Sequence, residues 1–226
     1  MNDKDRITEL KDELLGEFEL EDLNANYWER KREKFINNVS KSFGNKLVLK
    51  NFTATLYKNR FNCIMGPSGC GKTTLMNILK GFMVQDGGSI EGVPEKKTAV
   101  FQEDRLCESF SAVANVRMVC LKAVDNIQIK EHLKRIGIGP SSMDLPVSEL
   151  SGGMRRRVAI VRAILIESDI VFLDEPFKGL DINTKDHVIQ YVKDNIRNRT
   201  VVMVTHDIEE ARALDANLIS MEMIDN

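Results

Sequence analysis

The 226-residue chain is poor in the residues that announce a function by themselves. It holds four cysteines, Cys63, Cys70, Cys107 and Cys120, and three histidines, His132, His187 and His206. No Cys-x-x-Cys pair occurs and the histidines have no ligand-like spacing to the cysteines, which argues against a zinc site. Nothing indicates an oxidising compartment, so most thiols are expected to be buried and free. Neither sign of charge is in excess: 32 Lys and Arg against 34 Asp and Glu leave −2, without the basic surplus of a duplex-binding protein, and no nucleic-acid partner is expected. No stretch approaches the roughly 18 uncharged apolar residues of a membrane span, so a transmembrane protein is excluded. The acidic start lacks a basic patch before an apolar run and does not read as a secretory signal. A cytoplasmic chain is expected. Only five prolines occur, with no repeat or low-complexity tract, so composition marks no linker.

What is present begins with an appendage over residues 1–34. Residues 1–23 carry nine acids against three bases, and a basic cluster follows at Arg30-Lys31-Arg32. Ile7, Leu10, Leu14 and Phe18 fall on one helical face, which predicts an amphipathic helix over about 5–18. That helix either packs on its own domain, frays in solvent or docks a partner. From residue 35 onward short apolar runs alternate with helical patterns. Strands are expected at Phe35–Phe43, Phe61–Met65, Thr98–Phe101, Ile170–Leu173, Val201–Thr205 and Asn217–Met221. Helices are expected from about Lys72, over Ser151–Glu167, near Asn183–Arg197 and from Ile208. Runs such as Ile-Val-Phe-Leu are apolar at successive positions, as strands covered on both faces are, so the fold class is α/β with crossover helices. Between about 103 and 150 the strand signal vanishes. Val113, Val116, Val119, Cys120, Ile129, Leu133 and Ile136 suggest a small helical subdomain there.

The chemistry concentrates in a few loops. Gly66-Pro67-Ser68-Gly69-Cys70-Gly71-Lys72-Thr73-Thr74 satisfies G-x-x-x-x-G-K-[ST] between an expected strand and an expected helix. Its glycines let main-chain N–H groups turn around phosphate oxygens, and the helix start presents its positive end to the same anion. Lys72 supplies a charge to the β- and γ-phosphates, and the Thr73 hydroxyl is placed for Mg²⁺. Cys70 reads as a tolerated small side chain rather than a catalyst. Asp174 and Glu175 end the apolar strand that begins at Ile170: Asp174 suits Mg²⁺, and Glu175 suits polarising the attacking water.

With Leu150-Ser151-Gly152-Gly153-Met154 opening a helix twenty residues before that acidic pair, the chain resembles the ATP-binding-cassette (ABC) ATPases over about 35–221. The resemblance implies a P-loop NTPase fold with a mainly parallel core sheet, an antiparallel β part and a helical subdomain at about 103–150, the ATPase domain spanning 35–226. It further implies that Ser151, Gly152 and Gly153 contact the γ-phosphate held by a second subunit, in a homodimer or pseudo-symmetric dimer. Gln102 looks like the family's glutamine that touches Mg²⁺ and water. His206 resembles the histidine that bonds the γ-phosphate. Asp181, in Phe177-Lys178-Gly179-Leu180-Asp181, matches the loop at the dimer contact, and Phe43 lies where an aromatic stacks on adenine, with Tyr27 and Trp28 as rivals. Met154 departs from the commoner glutamine, and Lys178 stands where many members have a small residue.

The implied cofactors are ATP and Mg²⁺. The implied partners are integral-membrane permease subunits, with residues 102–110 bearing the groove for them, and an extracytoplasmic solute-binding protein if the system imports. The chain would lie peripherally on the inner face of the cell membrane. The motif wording looks most like bacterial importers of nitrate, sulfonate, taurine or thiamine-precursor type. An exporter or lipid or lipoprotein extruder, and a non-transport ATPase, stay open as alternatives. The few residues beyond the last strand leave regulation by an appended domain unexpected.

Overall fold

The computed structural model describes residues 36–120, 124–196 and 198–224, and every structural statement below refers to these. The amphipathic segment at 5–18, Tyr27, Trp28 and the basic cluster at Arg30 lie outside them. The order is β1 (Ile36–Phe43), β2 (Lys46–Ala54), β3 (Phe61–Met65), α1 (Lys72–Lys80), β4 (Gly87–Ile90), β5 (Lys97–Val100), α2 (Ala112–Cys120), α3 (Asn126–Arg135), α4 (Pro140–Met143), a 3₁₀ turn (Val147–Glu149), α5 (Gly152–Leu165), β6 (Ile170–Asp174), α6 (Ile182–Asn195), β7 (Thr200–Val204), α7 (Ile208–Ala213) and β8 (Asn217–Ser220).

Five strands form a parallel sheet in the order β5-β6-β7-β3-β8, and β2-β1-β4 form a separate antiparallel sheet. The apolar runs are explained by two-sided burial. Along β6, Ile170 and Phe172 enter one core while Val171 and Leu173 enter the other; along β7, Val202 and Val204 part from Val201 and Met203 in the same way. Side chains alternate across a strand, so a strand sandwiched between two layers must be apolar throughout. One core lies between the parallel sheet, α1 and the antiparallel layer, with Ile36, Val39, Leu49, Leu75 and Leu79. The other lies beneath α2, α3, α5 and α6. Ile129 and Leu133 of the helical stretch share that second cluster with Val171 and Leu173, so the helices at 112–149 are packed into the same apolar mass as the sheet.

The expected strands and helices coincide with observed elements to within about two residues. Two strands escaped the pattern. β2 and β4 are half exposed, and β1, which pairs with both, carries register shifts, with Asn38 and Asn51 in the left-handed region of φ. Bulges break the two-residue period on which a strand reading depends.

Candidate functional site

Three neighbouring strands, β6, β7 and β3, end at one level, with Asp174 beside Val204 and Val204 beside Ile64. Their carboxyl ends carry Asp174, then Glu175; Thr205, then His206; and the loop at 66–71. Ligands of open α/β sheets bind at such strand ends.

The loop at 66–71 is shaped by close approach. A Cβ on Gly66 would stand 2.3 Å from the Met221 carbonyl oxygen and 2.9 Å from Cys70 Sγ, so no larger residue fits. Gly71 takes φ +101 and packs against the Val48 carbonyl, where a Cβ would meet it at 2.9 Å. From Gly71 the chain enters α1 with no side-chain cap, which leaves the first-turn N–H groups without a side-chain acceptor. Pro67, Ser68 and Gly69 are exposed, as is Thr73, and Thr74 is half-buried. Cys70 is buried in the α1-side core, as a small apolar side chain would be. The Lys72 ammonium is buried and donates to the carbonyls of Gly66 at 2.7 Å and Pro67 at 2.8 Å. An ammonium has three donors, and the third makes a long contact with Cys70 Sγ at 3.9 Å.

Asp174 is nearly buried, and burial pushes its carboxyl up from the ordinary carboxylate range; Lys80 opposes this and Glu175 adds to it. Glu175 follows in the left-handed region, φ +46, with its N–H donating to the Val204 carbonyl at 2.9 Å. Its Oε2 accepts from Lys178 Nζ at 2.6 Å and its Oε1 lies 3.2 Å from His206 Nε2. The bond from Lys178 holds the Glu175 carboxyl below its usual range, helped by the charges of His206 and Lys72. Glu175, Lys178, Thr205, His206, Asp207, Ile208 and Glu210 line a cavity of about 460 Å³.

His206 is set by its neighbours. Thr205 Oγ1 donates to buried Glu210 at 2.5 Å and accepts from the Asp207 N–H at 3.1 Å. Lys185 on α6 then ties Asp207 at 2.9 Å and Glu210 at 3.1 Å, which fixes the loop carrying His206 to the helix that follows Asp181.

The remaining expected residues take separate positions. Gln102 is exposed just beyond β5, and its main-chain carbonyl accepts from Arg156 Nη2 at 2.6 Å. Ser151 is the N-cap of α5, its Oγ accepting from the Met154 N–H at 3.3 Å; Gly152 faces open space, and a Cβ on Gly153 would meet Leu180 at 3.3 Å. Asp181 caps α6 by accepting from the Thr184 N–H at 3.0 Å. Phe43, half exposed at the end of β1, has Lys41 Nζ 5.8 Å from its ring centroid. Phe110 is exposed and Leu106 partly buried.

Sequence reasoning missed Lys80, Arg156, Lys185 and the Thr205–Glu210 pair, and noted Lys178 only as a departure. Arg156 had a signal: it lies on the face of α5 that carries Ile160 and Ala163, four and seven residues on, so a charge there had to be buried. Its guanidinium reaches the carbonyls of Phe101 and Gln102, while Arg157 donates to the Gly137 carbonyl at 2.8 Å. The arginine run at 155–157 is thus used inside the domain.

A glycine-lined loop opening an uncapped helix, a buried lysine and a strand-end carboxylate pair are the makings of a phosphate-loop nucleotide-hydrolysing domain. Residues 49–178 match the ABC transporter family. The bicarbonate transport ATP-binding protein CmpD of Synechocystis sp. is 37% identical over 207 residues, covering 82% of this chain and 73% of the relative. The aliphatic sulfonates import ATP-binding protein SsuB 3 of Rhodococcus jostii is 38% identical over 188 residues, covering 81% and 69%. Among solved structures, the dimeric bacterial ABC transporter cassette MJ0796 superposes with a TM-score of 0.73 at 28% identity, covering 84% of this chain and 94% of that one. The same cassette has been solved in a post-hydrolysis state bound to ADP and Pi. The chain belongs to the ABC transporter family. It is an ATPase of that family, and among its described residues no helix is long and apolar enough to cross a membrane.

Proposed function

We propose that this chain is the ATP-hydrolysing subunit that powers uptake of a small solute through separate integral-membrane permease subunits, acting as a dimer on the inner face of the cell membrane. One observation carries the chemistry: Lys72, Asp174, Glu175 and His206 converge at the ends of three adjacent strands. Import is supported by relatives whose own names describe bicarbonate transport and sulfonate import. An extracytoplasmic solute-binding protein belongs to the same reading. Residues 102–110 remain our candidate for the permease groove.

In this reading Lys72 and the uncapped start of α1 hold the phosphate tail, with Phe43 against the base. The donor set fits Mg²⁺: Thr73 is exposed at the helix start, Asp174 ends β6 as a nearly buried carboxylate, and Gln102 adds a side-chain oxygen, all hard donors. Mg²⁺, when bound, offsets charge on the β- and γ-phosphate oxygens. Glu175 orients the attacking water and accepts its proton, and His206 donates towards the γ-phosphate. Ser151 and Gly152, exposed at the start of α5, and half-buried Gly153 serve the nucleotide of the other subunit, with Asp181 at the contact. Two-fold symmetry puts each subunit's element opposite its partner's nucleotide. ATP then favours the closed dimer and hydrolysis reopens it.

The test is E175Q, which should still bind ATP, lose most turnover and accumulate an ATP-dependent dimer. Unchanged hydrolysis would remove Glu175 from the reaction. Copurification from gently solubilised membranes of a polytopic protein together with a solute receptor would support import; soluble partners alone would end the transport reading.

A further inference from the structure

The Glu175 carboxylate has no idle oxygen. Oε1 faces His206 Nε2 at 3.2 Å, and Oε2 accepts the Lys178 ammonium at 2.6 Å. The main-chain position of Glu175 does not depend on the second of these bonds. The Glu175 main chain is held through its N–H to Val204, and a turn closed by the Lys178 N–H on the Glu175 carbonyl at 3.2 Å follows directly. What the ammonium does is take one of the two acceptor positions of Oε2 and compete there with water in the cavity that both residues line. The lysine side chain is itself 61% exposed and has a long flexible stem, so leaving the carboxylate costs it little.

We propose that Lys178 is a restraint on hydrolysis: its ammonium competes with the attacking water for Glu175 Oε2 and so slows uptake of that water by the carboxylate. Lys178 therefore acts through Glu175, as a positioning residue whose removal raises turnover. The proposal rests on the reading that Glu175 orients the water, and it goes beyond that reading by assigning a function to a residue that supplies no group to the reaction.

The experiment compares Mg-ATP hydrolysis by the full chain and by K178S, K178M, K178R, E175Q and E175Q/K178S. Exchanging one partly exposed ion pair predicts a rise in kcat of roughly 2- to 5-fold for K178S and K178M, with KM for ATP changing less than about twofold. K178R, which keeps a cationic donor, should rise less. The double variant should be as slow as E175Q, since any gain is spent through that carboxylate; the contrast between K178M and K178R separates loss of the cationic donor from general loosening of the loop, which would raise both alike. An unchanged or lower kcat in K178S, with E175Q inactive, overturns the restraint and leaves the role of Glu175 standing. Wild-type hydrolysis by E175Q overturns both.

Discussion

Replacing Arg156 by methionine removes a buried cation while keeping the length and apolar stem of the side chain. In the native chain its guanidinium forks onto the carbonyls of Phe101 at 2.5 Å and Gln102 at 2.6 Å, and Nη1 lies 3.2 Å from Asp104 Oδ1. That oxygen is buried without a hydrogen bond, so the charge of Arg156 is what balances it. Removing one partner of a buried pair costs about 3–5 kcal/mol, and each stranded carbonyl contributes to that range. Asp104 is partly exposed and can escape by protonation, which places R156M at the lower end, about 3 kcal/mol near neutral pH. At 2–4 °C per kcal/mol for a domain of this size, Tm should fall by roughly 6–12 °C. Burial already holds the Asp104 carboxyl above its ordinary value, with Arg156 the foremost of the charges pulling it down. A carboxyl whose folded-state value is raised favours folding below its unfolded value and loses that contribution as pH rises through the folded one. Without Arg156 the folded value climbs further, so the R156M deficit should be larger at pH 8 than at pH 5.5. Urea unfolding followed by circular dichroism at both pH values measures this, and R156M/D104N should recover about half the loss. A deficit under about 1 kcal/mol, a deficit equal at both pH values, or no recovery in the double variant would refute the argument.

Two other variants probe the supports of the site. G66A drives a Cβ to within 2.3 Å of the Met221 carbonyl, so the loop must move; it should lose ATP binding in a nucleotide titration and melt lower by the equivalent of about 2 kcal/mol. K185M removes the cation beside buried Glu210 and the bond that ties Asp207 to α6, costing about 2 kcal/mol and lowering kcat more than it changes KM, because the loop carrying His206 loses its tether. Its pH dependence has a definite sign. Lys185 holds the Asp207 carboxyl below its ordinary value, a contribution present at neutral pH and lost as pH falls through that lowered value. The same pair raises Lys185, a contribution lost only as pH climbs above the ordinary lysine range. K185M should therefore flatten the acid limb of the stability profile, which melting curves between pH 3 and 7 would show.

How much of this was legible in advance follows from the range of each interaction. Ile170–Asp174 and Thr200–Val204 could be read as strands because burial on both faces admits only apolar residues, and that demand is written at consecutive positions. The loop at 66–74 was legible for a similar reason: Gly66 and Gly71 answer to close backbone approaches and a left-handed turn, requirements that one residue type meets. The helix caps Ser151 and Asp181 are local as well, each bonding an N–H three residues on. Those features the amino-acid sequence determined by itself. The strand order β5-β6-β7-β3-β8 it did not reveal, and only that order sets the ends of β6, β7 and β3 side by side. From that adjacency follow the pairing of Glu175 with His206 and the tie of Lys185 to Glu210, and from the packing of α5 beside β5 follows the reach of Arg156 back to Gln102. These partners are 31, 25 and 54 residues apart in the chain. A charged side chain carries no mark of which distant group will neutralise it; the packing of strands and helices decides that, since it alone brings the two within bonding distance.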